Sequence, residues 1–343
     1  MWLKWWRNSW TSTGQRSGSQ SWNKRWFANS PVLGAVGDSV DKTREGALPE
    51  HGVGETLGRI TVREKVLRIR DGAVDERVDT LVAEEPLEIR LNGRALTVTM
   101  RTPGHDFDLS SGFLVGEGVI TRKQDVVTIR YCAGATEDGV NTFNVVDVSS
   151  AGDVPVPEAS LKRNFHTTSA CGLCGKASLE AVRTKAPWQV AEDPVRVSPP
   201  GLAVLPTRLR KAQRVFDRTG GLHAAALFTP EGEPLVVRED VGRHNAVDKV
   251  VGWALREVSL PLRGTVLSLS GRASFELVQK AWMAGIPVVT AVSAPSSLAV
   301  ELAREAGITL VGFLRGTSMN VYTGAQRVGQ GAVPAPRSST PKV

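Results

Sequence analysis

In the second half of the chain, short apolar runs alternate with stretches whose apolar residues repeat at helical spacing. The runs cover residues 266–270, 288–292 and 309–313, and the helical pattern covers residues 275–284 and 297–306. Strands that alternate with helices of this length predict right-handed βαβ crossovers. We therefore expect a mostly parallel sheet in an α/β domain over residues 151–327.

The first half predicts a smaller α+β module over residues 58–150. Apolar and charged residues alternate over residues 61–70, and residues 85–100 predict a hairpin that turns at Asn92-Gly93. The turn that follows leads into a helix ending at residue 116 or 118, which we expect Asp106 to cap. Two more strands are predicted over residues 126–131 and 142–148.

The charge of the chain is concentrated in its first thirty residues. The 343 residues carry a net charge of +7, but residues 1–30 hold five basic residues and no acid, together with six of the nine tryptophans. This segment has no apolar h-region of a signal peptide. We expect residues 1–57 and 328–343 to be disordered tails, and we expect neither a membrane span nor a surface that binds nucleic acid.

The strongest local signal is a pair of cysteines, Cys171 and Cys174, in a loop rich in glycine. The second cysteine leads into a predicted helix, where the helix dipole and Lys176 would favour thiolate over thiol. Two structural alternatives are half of a zinc site and a pair of small buried side chains, but no second close pair of Cys or His occurs. Three cysteines in all fit a reducing compartment, and we expect a cytoplasmic protein.

A second signal is the polar tract that runs from residue 238 to residue 249. Its helical part has an apolar inward face, and His244 and Asp248 lie one turn apart beside Arg243 and Lys249 on the predicted polar side. A surface helix with an ordinary ion pair is the structural alternative. The variety of polar types after Gly242 favours a face directed toward a ligand or toward the cysteines.

A third signal lies where the predicted parallel strands end. Helix N-termini, Ser hydroxyls and Arg side chains at such ends can bind phosphate, although each serine could instead be a helix cap. Three loops at one sheet edge, two of them with an arginine, make a shared phosphate site the favoured interpretation. The segments are Ser270-Gly271-Arg272, residues 293–297, and Phe313-Leu314-Arg315-Gly316-Thr317-Ser318.

Taken together, these motifs resemble the formate dehydrogenase accessory sulfurtransferase family, FdhD. The resemblance runs from about residue 58 to residue 327 through six motifs in order. They are Thr102-Pro103-Gly104, residues 112–118, residues 169–175, residues 240–249, Ser270-Gly271-Arg272, and residues 315–322.

The resemblance implies a cytoplasmic homodimer that takes sulfur from a cysteine desulfurase persulfide. The sulfur would pass to a molybdenum or tungsten bis-molybdopterin guanine dinucleotide cofactor that formate dehydrogenase needs, with no permanent metal on the carrier. Cys171 would carry the persulfide, and Cys174 would be its relay or resolving partner. The implied cofactor-binding residues are Phe313, Leu314, Arg315, Gly316, Thr317, Ser318, Ser270, Gly271, Arg272 and His244.

The fold that the resemblance implies for the second half is a cytidine-deaminase-like αβα sandwich. None of the five histidines is followed by Glu at the second position, so the zinc deaminase motif is absent. Two other functions remain open. One is a thioredoxin-like dithiol oxidoreductase, and the other is a non-enzymatic cofactor-binding chaperone whose cysteines are structural.

Overall fold

The structure is a computed structural model that describes residues 60–132, 143–152, 154 and 186–329. Its strands form sheets of two, four and six strands. The expected αβα sandwich with a smaller N-terminal α+β module is confirmed. No helix in the described ranges has the length and apolar character that crossing a membrane requires.

The described chain begins with a long two-stranded ribbon, β1 (Thr61–Arg70) and β2 (Ala73–Val82). The expected strand over residues 61–70 is confirmed, and β2 returns antiparallel to it along its full length. Asp71 and Gly72 both have positive φ, as in the two-residue turns that connect the strands of a tight β-hairpin.

The N-terminal module is a four-stranded sheet with one helix. The predicted hairpin at Asn92-Gly93 is confirmed, and both turn residues have positive φ. The strand expected over residues 142–148 lies slightly later in the chain, and it pairs parallel with residues 88–91 of the hairpin. The elements are β3 (Glu85–Leu91), β4 (Arg94–Arg101), α1 (Asp106–Gly116), β5 (Val126–Tyr131) and β6 (Val145–Ser150), in the sheet order β4-β3-β6-β5.

The capping role expected of Asp106 is wrong. His105 occupies the N-cap position of α1 with φ of 56°, and no side chain caps the helix there. The Asp106 carboxylate instead accepts hydrogen bonds from the buried Arg101 guanidinium at 3.0 and 3.1 Å and from the Tyr131 hydroxyl at 3.2 Å. A buried arginine needs a paired carboxylate, so the ion pair determines where this side chain points.

The second half contains a six-stranded sheet, with three short helices before it in the chain and three longer ones between its strands. The elements are α2 (Pro199–Ala203), α3 (Leu205–Ala212), α4 (Arg214–Thr219), β7 (His223–Phe228), β8 (Pro234–Asp240), α5 (Arg243–Glu257), β9 (Val266–Leu269), α6 (Phe275–Met283), β10 (Val288–Ala291), α7 (Ser297–Glu305), β11 (Thr309–Arg315) and β12 (Ser318–Thr323). The order of strands in the sheet is β12-β11-β10-β9-β7-β8.

The prediction of a mostly parallel sheet is only partly right. Strands β9, β10 and β11 are parallel and are joined by α6 and α7 as expected. Strands β7, β8 and β12 pair antiparallel with their neighbours. The reason is connection length: β7–β8 and β11–β12 are joined by short turns, and a short turn can join only antiparallel strands.

Buried residues lie on both faces of this sheet. Along β7, Ala225 and Leu227 join the core beneath α5, α6 and α7, while Ala224, Ala226 and Phe228 join the core beneath α2 and α3. This alternation is what the two-residue period of a strand requires when both faces are covered.

The core on the α5 side also includes the N-terminal module, because α1 packs against α5. Two glycines permit this approach: a Cβ at Gly112 would overlap the backbone of Asp248, and a Cβ at Gly252 would overlap the backbone of Asp108. The two halves of the described chain therefore share one buried cluster, which includes Leu109 and Leu114 of α1 and Val247 and Val251 of α5.

Candidate functional site

The loops that follow the parallel strands meet at one edge of the six-stranded sheet, as predicted. The Ser293 N–H donates to the Gly271 carbonyl at 3.2 Å, and the Phe313 N–H donates to the Ser293 carbonyl at 3.1 Å. Strand β8 also ends at this edge and β7 begins there, since His223 pairs with Asp240 and Ala225 pairs with Leu269. The N-terminus of α5 therefore lies at the same edge.

The segment after β9 combines a structural serine with an exposed arginine. The Ser270 hydroxyl accepts a hydrogen bond from the Ala224 N–H at 2.8 Å, so this side chain extends the pairing of β7 with β9. Gly271 lies next to the imidazole of His223, where an added Cβ would stand 3.6 Å from Nδ1. The Arg272 side chain is exposed.

The segment Phe313–Ser318 is a hairpin rather than the expected loop after the third strand. Phe313, Leu314 and Arg315 belong to β11, Gly316 and Thr317 form the turn, and Ser318 begins β12. The side chain of Leu314 is fully buried in the core on the α2 side. A ligand at this edge could reach only the backbone of Leu314.

Phe313 has the strained backbone of this hairpin. Its φ is 52°, a value that bulky residues rarely adopt, and the pairing of β11 with β12 is irregular between Gly312 and Arg315. The ring is 38% exposed, and the Arg315 guanidinium lies 5.9 Å from its centre. Arg315 Nε also donates to the Val292 carbonyl at 3.2 Å. Both side chains are exposed at this edge, and an aromatic ring beside an arginine is a combination suited to a nucleotide base and its phosphates.

Five polar side chains gather at this edge, four of them at the start of α5 and of α6. Nε2 of His244 lies 3.8 Å from the Glu276 carboxylate, too far for a hydrogen bond but within ion-pair range. Among the described residues, buried Arg243 Nε has no hydrogen-bond partner, while His244 Nε2 and Ser274 Oγ lie beside the Glu276 carboxylate without a hydrogen bond of good geometry. His223, at the start of β7, lies near Arg243 and His244. We refer to His223, Arg243, His244, Ser274 and Glu276 as the open polar cluster.

The cluster combines one arginine and two histidines with one carboxylate. The neighbouring His244 lowers the pKa of Glu276 to about 2, with burial opposing the shift. Burial, followed by the positive charge of Arg243, lowers the pKa of His223 below its ordinary value. Unpaired donors at the N-terminus of a fifteen-residue helix form the kind of arrangement that binds anions.

Asp240 and residues 245–249 are buried, and the expected position of Lys249 on the polar side of the helix is wrong. Lys249 Nζ lies 2.6 Å from Asp240 Oδ2, with the two side chains 1% and 0% exposed. Lys249 also donates to the Thr102 carbonyl at 2.9 Å, and Asn245 donates to Asp240 and to the Met100 carbonyl. We refer to Asp240, Asn245, Lys249 and Thr102 as the closed polar cluster.

Asp248 is likewise buried and pairs with a lysine of α6. Its carboxylate oxygens lie 2.7 and 3.0 Å from Lys280 Nζ. Burial raises the pKa of Asp248, and Lys280 opposes the shift. These side chains are buried because α5 is enclosed by the sheet on one side and by α1 on the other. His244 and Asp248 therefore do not pair with each other along α5. His244 lies near Glu276 of α6, and Asp248 pairs with Lys280 of the same helix.

The sequence pattern does not indicate three members of the open polar cluster, which are His223, Ser274 and Glu276. His223 begins a strand that the pattern of residues 219–240 did not suggest, and Ser274 and Glu276 are ordinary residues for a helix start. Cys171, Cys174 and Lys176 lie outside the described residues. Cys132 is described, and its N–H donates to the Val145 carbonyl at the end of β5.

Fold and site together define an α/β sandwich protein in which loops bearing arginines and histidines meet at the carboxyl ends of the parallel strands. The family model FdhD/NarQ matches residues 82–329. "Sulfur carrier protein FdhD" of Streptomyces coelicolor is 69% identical over 273 residues, covering 79% of this chain and 97% of the relative. The protein of the same name from Mycobacterium tuberculosis is 56% identical over 275 residues and is covered completely. The chain belongs to the FdhD/NarQ family.

A solved structure shows the same fold. It is the crystal structure of a protein described as a formate dehydrogenase accessory protein from Desulfotalea psychrophila. The likeness has a TM-score of 0.59 at 24% identity and covers 79% of this chain and all of that one. At this identity the likeness shows the fold alone.

Proposed function

We propose that this protein is a sulfurtransferase that supplies sulfur to a molybdenum or tungsten bis-molybdopterin guanine dinucleotide cofactor. The sulfur would come from the persulfide of a cysteine desulfurase, and the sulfurated cofactor would serve formate dehydrogenase. Family membership supports sulfur carriage, because the curated relatives are named sulfur carrier proteins. The protein would act as a homodimer in the cytoplasm, where reducing conditions preserve thiols.

The observation that carries the cofactor part of this proposal is the convergence of basic and aromatic groups at one sheet edge. Arg272 and the Phe313–Arg315 segment flank the hydrogen-bonded loops, and the open polar cluster begins at the adjacent helix N-terminus. A guanine dinucleotide has diphosphates for the unpaired donors and bases for an exposed aromatic ring. The ring of Phe313 would stack on guanine, and the arginines would bind phosphate.

The proposed chemistry uses the two cysteines in succession. The Cys171 thiolate attacks the outer sulfur of the donor persulfide, so the S–S bond of the donor breaks and the donor leaves as a thiolate. Cys174 then attacks the inner sulfur of the Cys171 persulfide. A Cys171–Cys174 disulfide forms, and the outer sulfur leaves as sulfide to the metal of the bound cofactor. The two cysteines are oxidised as this sulfur is reduced, and a dithiol reductant restores them.

Mass spectrometry tests the first step. The full chain is incubated with a cysteine desulfurase and cysteine, and the wild type should gain one sulfur atom on Cys171 because the activated thiolate is the nucleophile. Cys171→Ala should lose the adduct, while Cys174→Ala should retain it and fail to release sulfide. Cys132→Ala is the control and should behave as the wild type. A wild-type protein with no adduct on either cysteine would disprove sulfur carriage by this loop.

Complementation tests the cofactor step and the two other functions. In a strain that lacks its own accessory protein, Cys171→Ala should leave formate dehydrogenase with unsulfurated cofactor. Full activity with both cysteines changed to Ala would instead support the non-enzymatic chaperone. Rapid reduction of insulin by the wild type, without transfer of sulfur, would support the dithiol oxidoreductase.

A further inference from the structure

His223 is the exposed first residue of a strand whose other five residues are buried. Its place in the register, opposite Asp240 of β8, puts it at the edge where the loops after the parallel strands meet. Gly271 of the loop after β9 lies close to the imidazole, since a Cβ added to Gly271 would stand 3.6 Å from Nδ1. His223 is therefore part of the edge, next to the loop that carries the exposed Arg272.

The charged groups around His223 give it no negative partner. Partial burial of the imidazole lowers the pKa of His223, and the charges of Arg243 and His244 lower it further. Asp240 opposes this shift, but its carboxylate already lies 2.6 Å from Lys249 Nζ. A protonated His223 in the free protein would therefore face the positive charge of Arg243 without a carboxylate of its own.

The other carboxylates of β8 and of the first turns of α5 and α6 have partners elsewhere. Within the described ranges, none of them forms an ion pair or a hydrogen bond with His223 or with Arg243. Their partners are His244 for Glu276, Lys280 for Asp248, and the Val215 and Phe216 N–H groups for Glu239. An imidazole and a guanidinium thus lie near each other without an anion, which a bound phosphate would supply.

We propose that His223 is a further residue of the cofactor site, and that its imidazole takes one proton from solvent when the diphosphate of the cofactor binds at this edge. The inference rests on the proposed function and adds the regulation of that site by pH. A neutral imidazole avoids repulsion from Arg243 in the free protein, whereas an adjacent phosphate favours the charged form and accepts a charge-assisted hydrogen bond from it. Affinity for the diphosphate should therefore rise as the pH falls from the pKa of His223 in the complex to its lower pKa in the free protein.

Isothermal titration of the full chain with GDP-mannose, between about pH 6 and about pH 8, tests this linkage. GDP-mannose contains a diphosphate diester, as the cofactor does, and it lacks the terminal phosphate of guanosine diphosphate, whose own second pKa is about 6. The wild type should bind about tenfold more tightly at pH 6 than at pH 8, because uptake of one proton changes affinity by at most about tenfold per pH unit. Guanosine, which has no phosphate, should bind with the same affinity at both pH values.

Two matched histidine substitutions assign the proton. His223→Asn should bind GDP-mannose about as tightly as the wild type at the highest pH, and it should lose the gain at lower pH because no imidazole remains to be charged. His105→Asn is the control, since the charged neighbours of His105 are outside the open polar cluster and Asn tolerates the positive φ of the N-cap of α1. This variant should keep the pH dependence of the wild type. Circular dichroism confirms that both variants are folded.

The possible outcomes separate this inference from the proposed function. If the wild type bound GDP-mannose equally well at every pH, or if His223→Asn kept the pH dependence, the role of His223 would be overturned while the nucleotide site remained. An equal pH dependence with guanosine would overturn the assignment to phosphate. A wild type that bound neither GDP-mannose nor guanosine diphosphate at any pH would overturn the nucleotide site itself, and the role of His223 with it.

Discussion

The two polar clusters at the start of α5 differ sharply although they share one helix. In the closed polar cluster, Asp240 accepts from Lys249, Asn245 and the Gly242 N–H, and the side chains of Asp240, Asn245, Lys249 and Thr102 are buried. In the open polar cluster, His244 and Arg243 have buried nitrogens without hydrogen-bond partners in the described ranges. Adjacent residues of one motif therefore belong to two environments.

The difference separates residues that hold the fold from residues available to a ligand. The closed cluster joins the end of β4 to the start of α5, through the bonds of Lys249 and Asn245 to the carbonyls of Thr102 and Met100. It thus fastens the N-terminal module to the six-stranded sheet. The open cluster has donors that the protein does not satisfy, and buried donors without partners are costly unless a ligand or water completes them.

Removing the lysine of the closed cluster should give the largest effect on stability. Lys249→Met leaves the Asp240 carboxylate buried without its counter-ion and should lower the free energy of unfolding by about 3–5 kcal/mol. Denaturant unfolding followed by circular dichroism measures the loss. Lys211→Met, at an exposed position of α3, is the matched control and should change stability by less than about 0.5 kcal/mol.

Coupling between the two charges sharpens this test. In the double variant Asp240→Asn with Lys249→Met, the loss should be smaller than the sum of the single losses, because no uncompensated charge remains. Additive losses, or a Lys249→Met variant as stable as the Lys211 control, would show that the cluster does not fasten the two halves together.

The sequence could predict the elements better than their arrangement. The apolar runs located β9, β10 and β11 to within two residues, because buried parallel strands are short and continuously apolar. The strand β7 was missed, since His223 and three alanines form no apolar run of the usual kind. Its antiparallel pairing with β9 is set by contacts between distant segments, which local periodicity does not encode.

The site was predicted in part for a related reason. The topology of a parallel sheet brings the loops at the ends of its strands together. The backbone hydrogen bonds between these loops confirm this expectation. Which polar residues face the edge depends on the enclosure of α5 by α1. The close contact of α1 with α5 at Gly112 and Gly252 helps to bury Lys249 and Asp248. The sequence pattern of polar and apolar residues does not indicate this contact.

Removing a donor from the open cluster should affect binding far more than stability. Arg243→Gln or His244→Gln should weaken the binding of guanosine diphosphate about tenfold, because one charge-assisted contact to phosphate is lost. Isothermal titration with guanosine diphosphate measures this effect. The free energy of unfolding should change by less than about 1 kcal/mol, since neither removed nitrogen has a hydrogen-bond partner among the described residues and the His244–Glu276 pair is partly exposed.

An arginine away from the edge provides the control for charge alone. Arg304→Gln removes the same charge from the exposed side of α7 and should leave nucleotide affinity unchanged. If His244→Gln destabilised the fold as much as Lys249→Met, the distinction between the two clusters would fail. Equal binding by His244→Gln, Arg304→Gln and the wild type would remove the open cluster from the nucleotide site.

The smallest expected effect is the pH dependence of the single carboxylate in the open cluster. Because His244 lowers the pKa of Glu276 to about 2, the folded state binds fewer protons here than the unfolded state between roughly pH 4.5 and pH 2. The stabilisation is complete above this window and is lost as the pH falls through it. Glu276 is partly exposed, so screening limits the effect to about 0.5 kcal/mol.

Acid unfolding of Glu276→Gln should therefore depend slightly less on pH than that of the wild type, while Glu301→Gln on α7 should follow the wild type. If the unfolding curve of Glu276→Gln depended on pH as that of the wild type does, the ion pair between Glu276 and His244 would not stabilise the folded state.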